Sequence, residues 1–504
     1  MKLKIMLINP PRVDGFPVVR EERFEHKDIG TVYPPLSLLY MAAVLEKHSE
    51  YEIKVLDANG FDLSLNHVNT ELMEFNPDVV ISRVGFDTQK QDLQVLGLAK
   101  GCGAITVLRS KIIADVPALR DEILKDNKVD VFINSEPEAV IEKLCEEAAK
   151  EKEKKSKNPQ PLACLRDPDC RVVENWDFLL NVPGISFYAN GKAITTLPAK
   201  EISDIDVLPY AAYHLLPSLK PYHTGVMDGP FALVQTTRGC PFLCTFCSFG
   251  KTKCRERGVE SVISEIKYLK DRFKIKSFLF FDDTISIKQG RIEQLAKRMI
   301  EEKLNGLKWV CCTRANLVNY DMLKIMKKAG MKEIAIGIET GSETILKSTK
   351  KGVTLDDIRQ AAKWCHELGI MFYGLAIIGL PGETKETVKE TVDFIKEIDP
   401  FYTQFCFSTP FPNTEIYEYY EKNNFILTKD WSKYFPLSGE PVIRTEKLSA
   451  EELVELRSKA YSAILLRPGY LLRQIKPFDW KWNLQGLAKI TERIVRVVLK
   501  KPVR

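Results

Sequence analysis

Three cysteines lie within the thirteen residues RGCPFLCTFCSFG, at Cys240, Cys244 and Cys247. Their spacing is C-x3-C-x2-C, and no fourth cysteine follows at a matching distance. A structural zinc site needs four ligands and a catalytic one usually includes histidine or a carboxylate, but the nearest histidine is His223. Thiolates alone favour an iron–sulfur cluster. A [4Fe–4S] cube held by three cysteines leaves one iron open, so the motif predicts a cluster that binds a further ligand.

The cysteine loop must be positioned by the strand before it, which opens a repeating βα pattern. Six apolar segments alternate with amphipathic helices, and they read ALVQTT, SFLFFDD, WVCCTR, EIAIGIE, FYGLAIIGL and TQFCFST. Six parallel units favour a partial (β/α)6 barrel over an open sheet. In either architecture, chemistry belongs at the carboxyl ends of the strands, which is where the cysteine loop lies.

The first 150 residues predict a separate α/β domain of the doubly wound, Rossmann-like type. Short apolar strands alternate there with amphipathic helices, and the strands read KIMLINPP, YEIKVLDAN, DVVISRV, AITVLRS and VDVFINS. A ligand of such a domain binds beyond the carboxyl ends of its strands.

A charged, proline-containing break at residues 150–165 marks the end of this domain. The segment GISFYANGKAITTL after it predicts a hairpin that turns at Asn190-Gly191. The expected domains are therefore 1–150, a linker with a hairpin at 151–228, the partial barrel at 229–425 and a helical, basic C-terminal region at 426–504.

Composition is that of a globular protein, and we expect a cytoplasmic one. It has 504 residues, 45% hydrophobic and 28% charged, with a net charge of +5 spread over both signs, which gives no reason to expect a nucleic-acid partner. No apolar run is long enough for a membrane span. The twelve cysteines should be mostly reduced. Four of them lie in apolar segments and are expected to be buried: Cys102, Cys145, Cys365 and Cys406.

The cysteine spacing after the first of six βα strands resembles the radical S-adenosylmethionine (radical SAM) superfamily. Further matches stand in order at later strand ends: FFDD at 280–283, CTRANL at 312–317, GIETGSE at 337–343 and GLAIIGLPGET at 374–384. The resemblance implies that the open iron chelates the amino and carboxylate groups of S-adenosylmethionine. An electron from the cluster then cleaves the sulfonium, which yields methionine and a 5′-deoxyadenosyl radical.

The same resemblance implies a set of cofactor-contacting residues at the strand ends. Carboxylates can lie near the methionine amino group and the sulfonium, Arg314 can pair with the methionine carboxylate, and an apolar side chain can hold the adenine. The expected residues are Phe281, Asp282, Asp283, Arg314, Glu339, Ser342 and Ile378. For Asp282 or Asp283, capping of the next helix is the alternative role.

The N-terminal domain resembles the cobalamin-binding domain that precedes the barrel in one large radical SAM subfamily. The resemblance implies that loops after its strands grip the corrinoid, and the expected residues are Pro10, Pro11, Ser82, Arg83, Val84, Ser135 and Glu136. No D-x-H-x-x-G motif occurs, so no histidine from such a motif ligates cobalt. Arg83 would lie at the lower face of the corrin, and the alternative for it is a surface arginine beside a turn.

The loop after the fourth strand departs from that subfamily. It reads VLRSKIIADVP where a glycine-rich stretch is common. Arg109, Ser110 and Lys111 cannot approach a nucleotide tail as glycines do, although they could contact phosphate. A scaffold domain without corrinoid is therefore the alternative.

The leading hypothesis for function is a cobalamin-dependent radical SAM methyltransferase that acts on an unactivated carbon. A radical SAM cyclase or rearranging enzyme, with or without cobalamin, is the second hypothesis, and a non-catalytic iron–sulfur or corrinoid-binding protein is the third. The expected partners are a substrate of open class, whether lipid, peptide or small metabolite, and an electron donor such as ferredoxin or flavodoxin. Cys164 and Cys170 could hold a further metal, although flexible linker thiols account for them as well.

Overall fold

The computed structural model describes residues 2–21, 24–27, 31–157, 176–224, 226–227 and 229–470. The chain divides into two compact units, Met1–Ala232 and Leu233–Arg504. Cys164, Cys170 and the basic end of the expected C-terminal region lie outside the described residues. Within the described residues, no helix combines the length and the apolar composition that a bilayer crossing requires.

The first unit contains nine strands and six helices among its described residues. The strands are β1 (Leu3–Asn9), β2 (Val18–Glu21), β3 (Phe24–Lys27), β4 (Tyr51–Asp57), β5 (Val79–Arg83), β6 (Ile105–Arg109), β7 (Val131–Ile133), β8 (Ile185–Ala189) and β9 (Lys192–Thr195). The helices are α1 (Leu36–Leu45), α2 (Leu65–Phe75), α3 (Gln89–Gly101), α4 (Lys111–Ala114), α5 (Pro117–Lys125) and α6 (Ile141–Lys157).

The main sheet of this unit has the order β4-β1-β5-β6-β7-β8-β9. Its first five strands are parallel, which confirms the doubly wound fold. The central strands β1 and β5 are mainly apolar runs that are buried almost throughout, as helices on both sides of a parallel sheet require. The chain passes from β1 to β4 on one side of β1 and then crosses back to β5 on the other side. The crevice at which such folds bind ligands therefore lies at the carboxyl ends of β1 and β5.

The predicted hairpin is present as β8 and β9. Asn190 and Gly191 both have positive φ, 52° and 78°, as a two-residue hairpin turn requires. β8 pairs antiparallel with β7, so the hairpin expected within a linker extends the N-terminal sheet. Pairing with β8 satisfies the backbone groups that β7 would otherwise leave exposed at a sheet edge.

The second unit carries the remaining strands and helices. The strands are β10 (Phe231–Val234), β11 (Thr237–Arg238), β12 (Arg255–Glu256), β13 (Ser277–Phe280), β14 (Lys308–Thr313), β15 (Met331–Glu339), β16 (Met371–Ile378) and β17 (Tyr402–Phe407). The helices are α7 (Val259–Phe273), α8 (Gln289–Glu301), α9 (Tyr320–Lys328), α10 (Glu343–Ser348), α11 (Leu355–Leu368), α12 (Lys385–Ile398), α13 (Glu415–Lys422) and α14 (Ala450–Leu465).

Six of these strands form one sheet in chain order, β10-β13-β14-β15-β16-β17, which confirms the six-unit partial barrel. The pairs from β13 to β17 are parallel. Because the strands advance in one direction and parallel crossovers are right-handed, the connecting helices cover one face. The other face forms the lumen of the barrel. Buried and partly exposed residues alternate along β16 and β17, so the lumen face remains accessible.

Helix α14 covers the free edge of β17. The Phe405 N–H donates to Tyr461 Oη at 3.0 Å, and the two rings meet edge to face with centroids 5.1 Å apart. Ser449 and Glu452 form a capping box that begins this helix. The described part of the C-terminal region thus protects a sheet edge that the partial barrel leaves open.

Candidate active site

The cysteine loop joins β11 to β12, which pair antiparallel and close its base. The Cys240 N–H donates to Thr252 Oγ1 at 2.9 Å, and the Thr252 N–H donates to Cys240 O at 3.0 Å. Gly239 has φ +93°, and a Cβ there would lie 2.4 Å from Lys253 O. A Cβ at Gly250 would lie 2.6 Å from Phe242 O. Only glycine fits at these two points, so the loop winds more tightly than side chains allow.

The donor set of this loop fits a [4Fe–4S] cube. All three thiols are partly exposed, and each would bind a different iron, so they need not converge on one point. No three His, Cys, Asp or Glu side chains among the described residues surround a single metal position. Burial raises the pKa of the Cys240 thiol, and coordination to iron would deprotonate it.

Asp282 ties the second barrel strand to the segment that carries the loop. Its carboxylate accepts from the Thr236 and Thr237 N–H groups, both at 2.7 Å, and from Thr236 Oγ1 at 2.6 Å. Burial raises the pKa of Asp282, whereas these hydrogen bonds oppose the rise. The structure therefore uses Asp282 to position the cysteine loop.

Asp283 and Phe281 lie on either side of Asp282 in the sequence. Asp283 is partly exposed, and its charge acts on the Cys240 thiol, so it is the carboxylate of the pair that faces the loop. Phe281 is buried, and its N–H donates to Val234 O at 2.8 Å. Neither aspartate caps the next helix, because Lys288 occupies the N-cap of α8, so the capping alternative is wrong.

Arg314 follows β14 and reaches the cysteine loop. Its guanidinium lies over the Phe242 ring at 3.7 Å, and Nη1 is 3.4 Å from Cys244 Sγ. Nη2 donates to Lys351 O. The residue is buried, yet Nε has no hydrogen-bond partner in the described part of the chain. A buried orphan donor beside the loop fits the expectation that Arg314 binds a carboxylate of a ligand.

Glu339 ends β15 in a strained conformation. Its φ is +61°, and the strand is irregular between Gly337 and Glu339. The carboxylate pairs with Lys351, whose Nζ also donates to Gly337 O at 2.7 Å. Both side chains are buried, at 9% and 5% exposure. Positive φ at a buried, paired glutamate is the kind of strain that concentrates at functional sites.

Lys351 is a site residue that sequence reasoning missed. It lies twelve residues after Glu339 on the connection between α10 and α11. The KKG sequence gave no sign that one lysine turns inward, because lysines next to glycine usually mark a solvated turn. Together with Arg314, Lys351 places two cations beside the carboxyl ends of β14 and β15.

Ser342 and Ile378 mark the remaining strand ends. The Ser342 N–H donates to Thr340 Oγ1 at 3.2 Å. A Cβ at Gly341, just before it, would lie 2.6 Å from Phe394 Cβ, so the turn requires glycine. Ile378 ends β16 in the core. The expected contacts of Ser342 and Ile378 with a cofactor stay predictions.

Glu383, in the GLPGET segment, is a second residue that sequence reasoning missed. One carboxyl oxygen accepts from the Gly379 N–H at 2.5 Å, and the other, Oε1, has no partner among the described residues. Burial raises the pKa of Glu383 to about 8. The carboxyl therefore holds the turn after β16, and its raised pKa favours the protonated form at neutral pH.

We expect Glu383→Gln to stabilise the protein increasingly as pH rises from about 4.5 to 8. In the folded state Glu383 keeps its proton up to about pH 8, whereas in the unfolded chain the side chain loses this proton near its ordinary pKa of 4.5. Wild-type stability therefore falls through this window, by up to about 1.4 kcal/mol per pH unit. Urea denaturation of both proteins across the window measures the difference, with exposed Glu386→Gln as the control. Parallel pH profiles for wild type and Glu383→Gln would contradict a buried, protonated carboxyl.

The residues expected at the corrinoid loops lie at the carboxyl ends of β1 and β5. The carbonyls of Pro10 and Pro11 accept from the Arg20 guanidinium at 2.9 and 2.8 Å. Ser82 Oγ donates to Ile8 O at 3.0 Å. Arg83 Nε donates to Arg20 O at 2.9 Å.

Arg83 is fully buried at the end of β5. The alternative of a surface arginine is therefore wrong. Val84 directly after it is also buried. Whether either residue meets a corrin stays a prediction.

The loops after β6 and β7 contain the remaining candidates. Ser135 Oγ accepts from the Ala199 N–H and Glu136 Oε2 from the Ile202 N–H, both at 3.2 Å. Arg109 Nη1 donates to Ile133 O at 3.3 Å. These contacts hold the two loops to the rest of the first unit.

Comparison with known proteins agrees with this arrangement. The Radical SAM superfamily model matches residues 234–395. An uncharacterized methyltransferase of Pyrococcus horikoshii is 30% identical over 97% of this chain and 98% of its own length. The anaerobic magnesium-protoporphyrin IX monomethyl ester cyclase of Rubrivivax gelatinosus is 23% identical over 88% of this chain and 76% of its own length.

A solved structure shares the fold of most of the chain. The radical S-adenosylmethionine methyltransferase TsrM of Kitasatospora setae, solved with cobalamin and a [4Fe–4S] cluster, superimposes with a TM-score of 0.64. The alignment covers 93% of this chain and 90% of TsrM at 16% identity. The three-cysteine loop at the head of a six-unit barrel, the matched domain and the full-length relative lead to one conclusion: the chain belongs to the radical SAM superfamily.

Proposed function

We propose that the protein is a cobalamin-dependent radical SAM methyltransferase that acts on an unactivated carbon. The observation that carries the proposal is the glycine-bounded loop of Cys240, Cys244 and Cys247, with the Arg314 guanidinium beside it. The methyltransferase part is supported by the full-length likeness to the relative of Pyrococcus horikoshii and to the fold of TsrM.

The cofactors would be held by separate parts of the chain. The three cysteines would hold the cluster, and S-adenosylmethionine would meet Asp283, Arg314, Glu339 and the turn after Ile378. Cobalamin would meet the loops after β1, β5, β6 and β7. When bound, the cluster and S-adenosylmethionine supply a carbon radical that abstracts hydrogen, and cobalamin supplies the methyl group.

The chain's own residues position these groups. Asp282 holds the segment before the cysteine loop through three hydrogen bonds. Lys351 neutralises Glu339 and fixes its orientation. Arg314 offers an unused Nε–H and a positive charge to a carboxylate next to Cys244. These groups bind and orient; none of them needs to transfer a proton.

An electron donor such as ferredoxin or flavodoxin completes the proposal, because reductive cleavage needs one electron for each S-adenosylmethionine. We place the enzyme in the cytoplasm, where thiols remain reduced.

Anaerobic reconstitution with iron, sulfide and hydroxocobalamin tests the proposal. We expect saturable cobalamin binding, formation of 5′-deoxyadenosine under dithionite, and no nitrogen superhyperfine splitting in the paramagnetic resonance spectrum of the cob(II)alamin form. S-adenosylmethionine with a trideuterated methyl group should label cobalamin in the same protein. Absence of cobalamin binding would remove the methyltransferase proposal and leave a cobalamin-free radical enzyme.

A ring-forming or rearranging radical enzyme is the second candidate. The likeness to the ester cyclase of Rubrivivax gelatinosus, over 88% of this chain, favours it. The labelled methyl group separates the two candidates, because a methyltransferase carries it into the product and a cyclase does not.

A further inference from the structure

The lumen face of the barrel carries several polar side chains among apolar ones. Paired residues of parallel strands point to the same face, so the register between β14 and β17 defines the lumen residues. The polar ones among them are Cys312, Glu333, Tyr373, Tyr402, Gln404 and Cys406, and all are partly exposed. Branched apolar residues fill a closed (β/α)8 barrel, whereas this open lumen keeps polar groups accessible. Cys406, expected to be a buried apolar residue, belongs to this face because it alternates with Phe405 and Phe407 along β17.

Two of these polar groups satisfy each other. The Tyr373 hydroxyl donates to Gln404 Oε1, and the Tyr373 and Tyr402 rings meet with centroids 5.1 Å apart. The main polar contact on the wall formed by β16 and β17 is therefore this hydrogen bond between two of the wall's own side chains.

Glu333 is different because its carboxyl has no hydrogen bond or ion pair with any described residue. It pairs in register with Val310 of β14 and Met371 of β16, which offer it no polar side chain. Surrounding protein raises its pKa to about 7. The titratable groups that feel its charge are Cys311 and Tyr373, and burial keeps both uncharged well above neutral pH.

A carboxylate that is removed from bulk water and has no counter-ion is costly, and a cation is the ligand that offsets this cost best. Glu333 is partly exposed, and its register places it on the lumen face of the sheet. Glu333 and Glu339 belong to the same strand, and six residues of strand at about 3.3 Å each separate them by roughly 20 Å. A molecule that spans this distance is elongated.

We propose that Glu333 anchors the substrate by binding a protonated amine at the inner end of an elongated molecule that enters the barrel lumen. This inference rests on the proposed function, since it assumes that the reacting carbon lies at the carboxyl edge of the same barrel. Glu333 is a specificity-determining residue in this scheme and takes no part in radical formation.

Calorimetric titration of the reconstituted enzyme with hexylammonium tests the inference, with hexanol and hexanoate as probes of equal length. We expect hexylammonium to bind wild type at least tenfold more tightly than Glu333→Gln, and hexanol to bind both proteins equally. Below pH 7 the wild-type affinity for hexylammonium should fall about tenfold per pH unit, whereas that of Glu333→Gln should stay flat. Glu367→Gln, an exposed change on α11, should match wild type throughout.

Equal hexylammonium affinity in wild type and Glu333→Gln, preference for hexanol or hexanoate, or no binding of hexylammonium would each overturn the inference. Glu333→Gln should fold, because it keeps the side-chain shape and removes an unpartnered charge, and thermal denaturation checks this. Formation of 5′-deoxyadenosine does not depend on Glu333. Absence of that activity in wild type would therefore count against the proposed function, while the titration would still decide whether Glu333 binds an amine.

Discussion

Simultaneous replacement of Cys240, Cys244 and Cys247 by alanine is expected to abolish iron binding. Reconstituted wild type should hold about four irons per chain, and the triple variant should hold less than one. The variant should still fold, because the loop is closed through the backbone of Cys240 and Thr252 and through the β11–β12 pair, none of which uses a thiol. Iron and sulfide analysis with the visible absorption spectrum measures the loss.

Cys254→Ala is the matched control for this experiment. Cys254 lies close enough to Cys240 for their charges to interact, and burial raises its pKa to about 11. We expect full iron content in Cys254→Ala, since the ligand spacing ends at Cys247. Iron retained by the triple variant, or zinc bound in place of iron by wild type, would refute the cluster assignment. Loss of iron in Cys254→Ala would instead identify Cys254 as a further thiolate ligand.

Lys351→Met is expected to impair both stability and cleavage of S-adenosylmethionine. Removing one partner of a buried ion pair leaves the other charge uncompensated, which costs about 3–5 kcal/mol. We expect cleavage to fall by about 10- to 100-fold, the size of effect that follows when the partner orienting a metal ligand is lost. Urea denaturation measures the first effect, and chromatography of 5′-deoxyadenosine under dithionite measures the second.

A double variant separates the structural role of this ion pair from its role in positioning the Glu339 carboxylate. The double change Glu339→Gln with Lys351→Met removes both buried charges and should recover most of the stability, yet cleavage should stay low because the carboxylate is gone. The neighbouring Lys350→Met is the control, since Lys350 pairs with Glu415 at 2.6 Å on the surface, where such pairs contribute about 1 kcal/mol or less. Normal cleavage by the double variant would show that the pair is only structural.

Local sequence determined the parts of this protein that depend on neighbouring residues. The cysteine ligands are close in the chain, so their spacing alone predicted an iron–sulfur loop. The βα alternation predicted both parallel sheets, because short apolar runs and helices of period 3.6 are visible in any single segment. Asn190-Gly191 predicted a hairpin since both residues accept positive φ.

Tertiary structure decided which residues meet. Asp282 and Asp283 are adjacent in sequence, yet their side chains point in opposite directions at a strand end. Asp282 accepts a hydrogen bond from Thr236, whereas Asp283 faces the cysteine loop. Lys351 reaches Glu339 only because an irregular strand end turns the glutamate toward the next connection. Alternation along a strand likewise does not say which face is a lumen and which lies under helices. That choice depends on the handedness of every crossover in the sheet, so the unpartnered carboxyl of Glu333 became visible only when six strands were assembled.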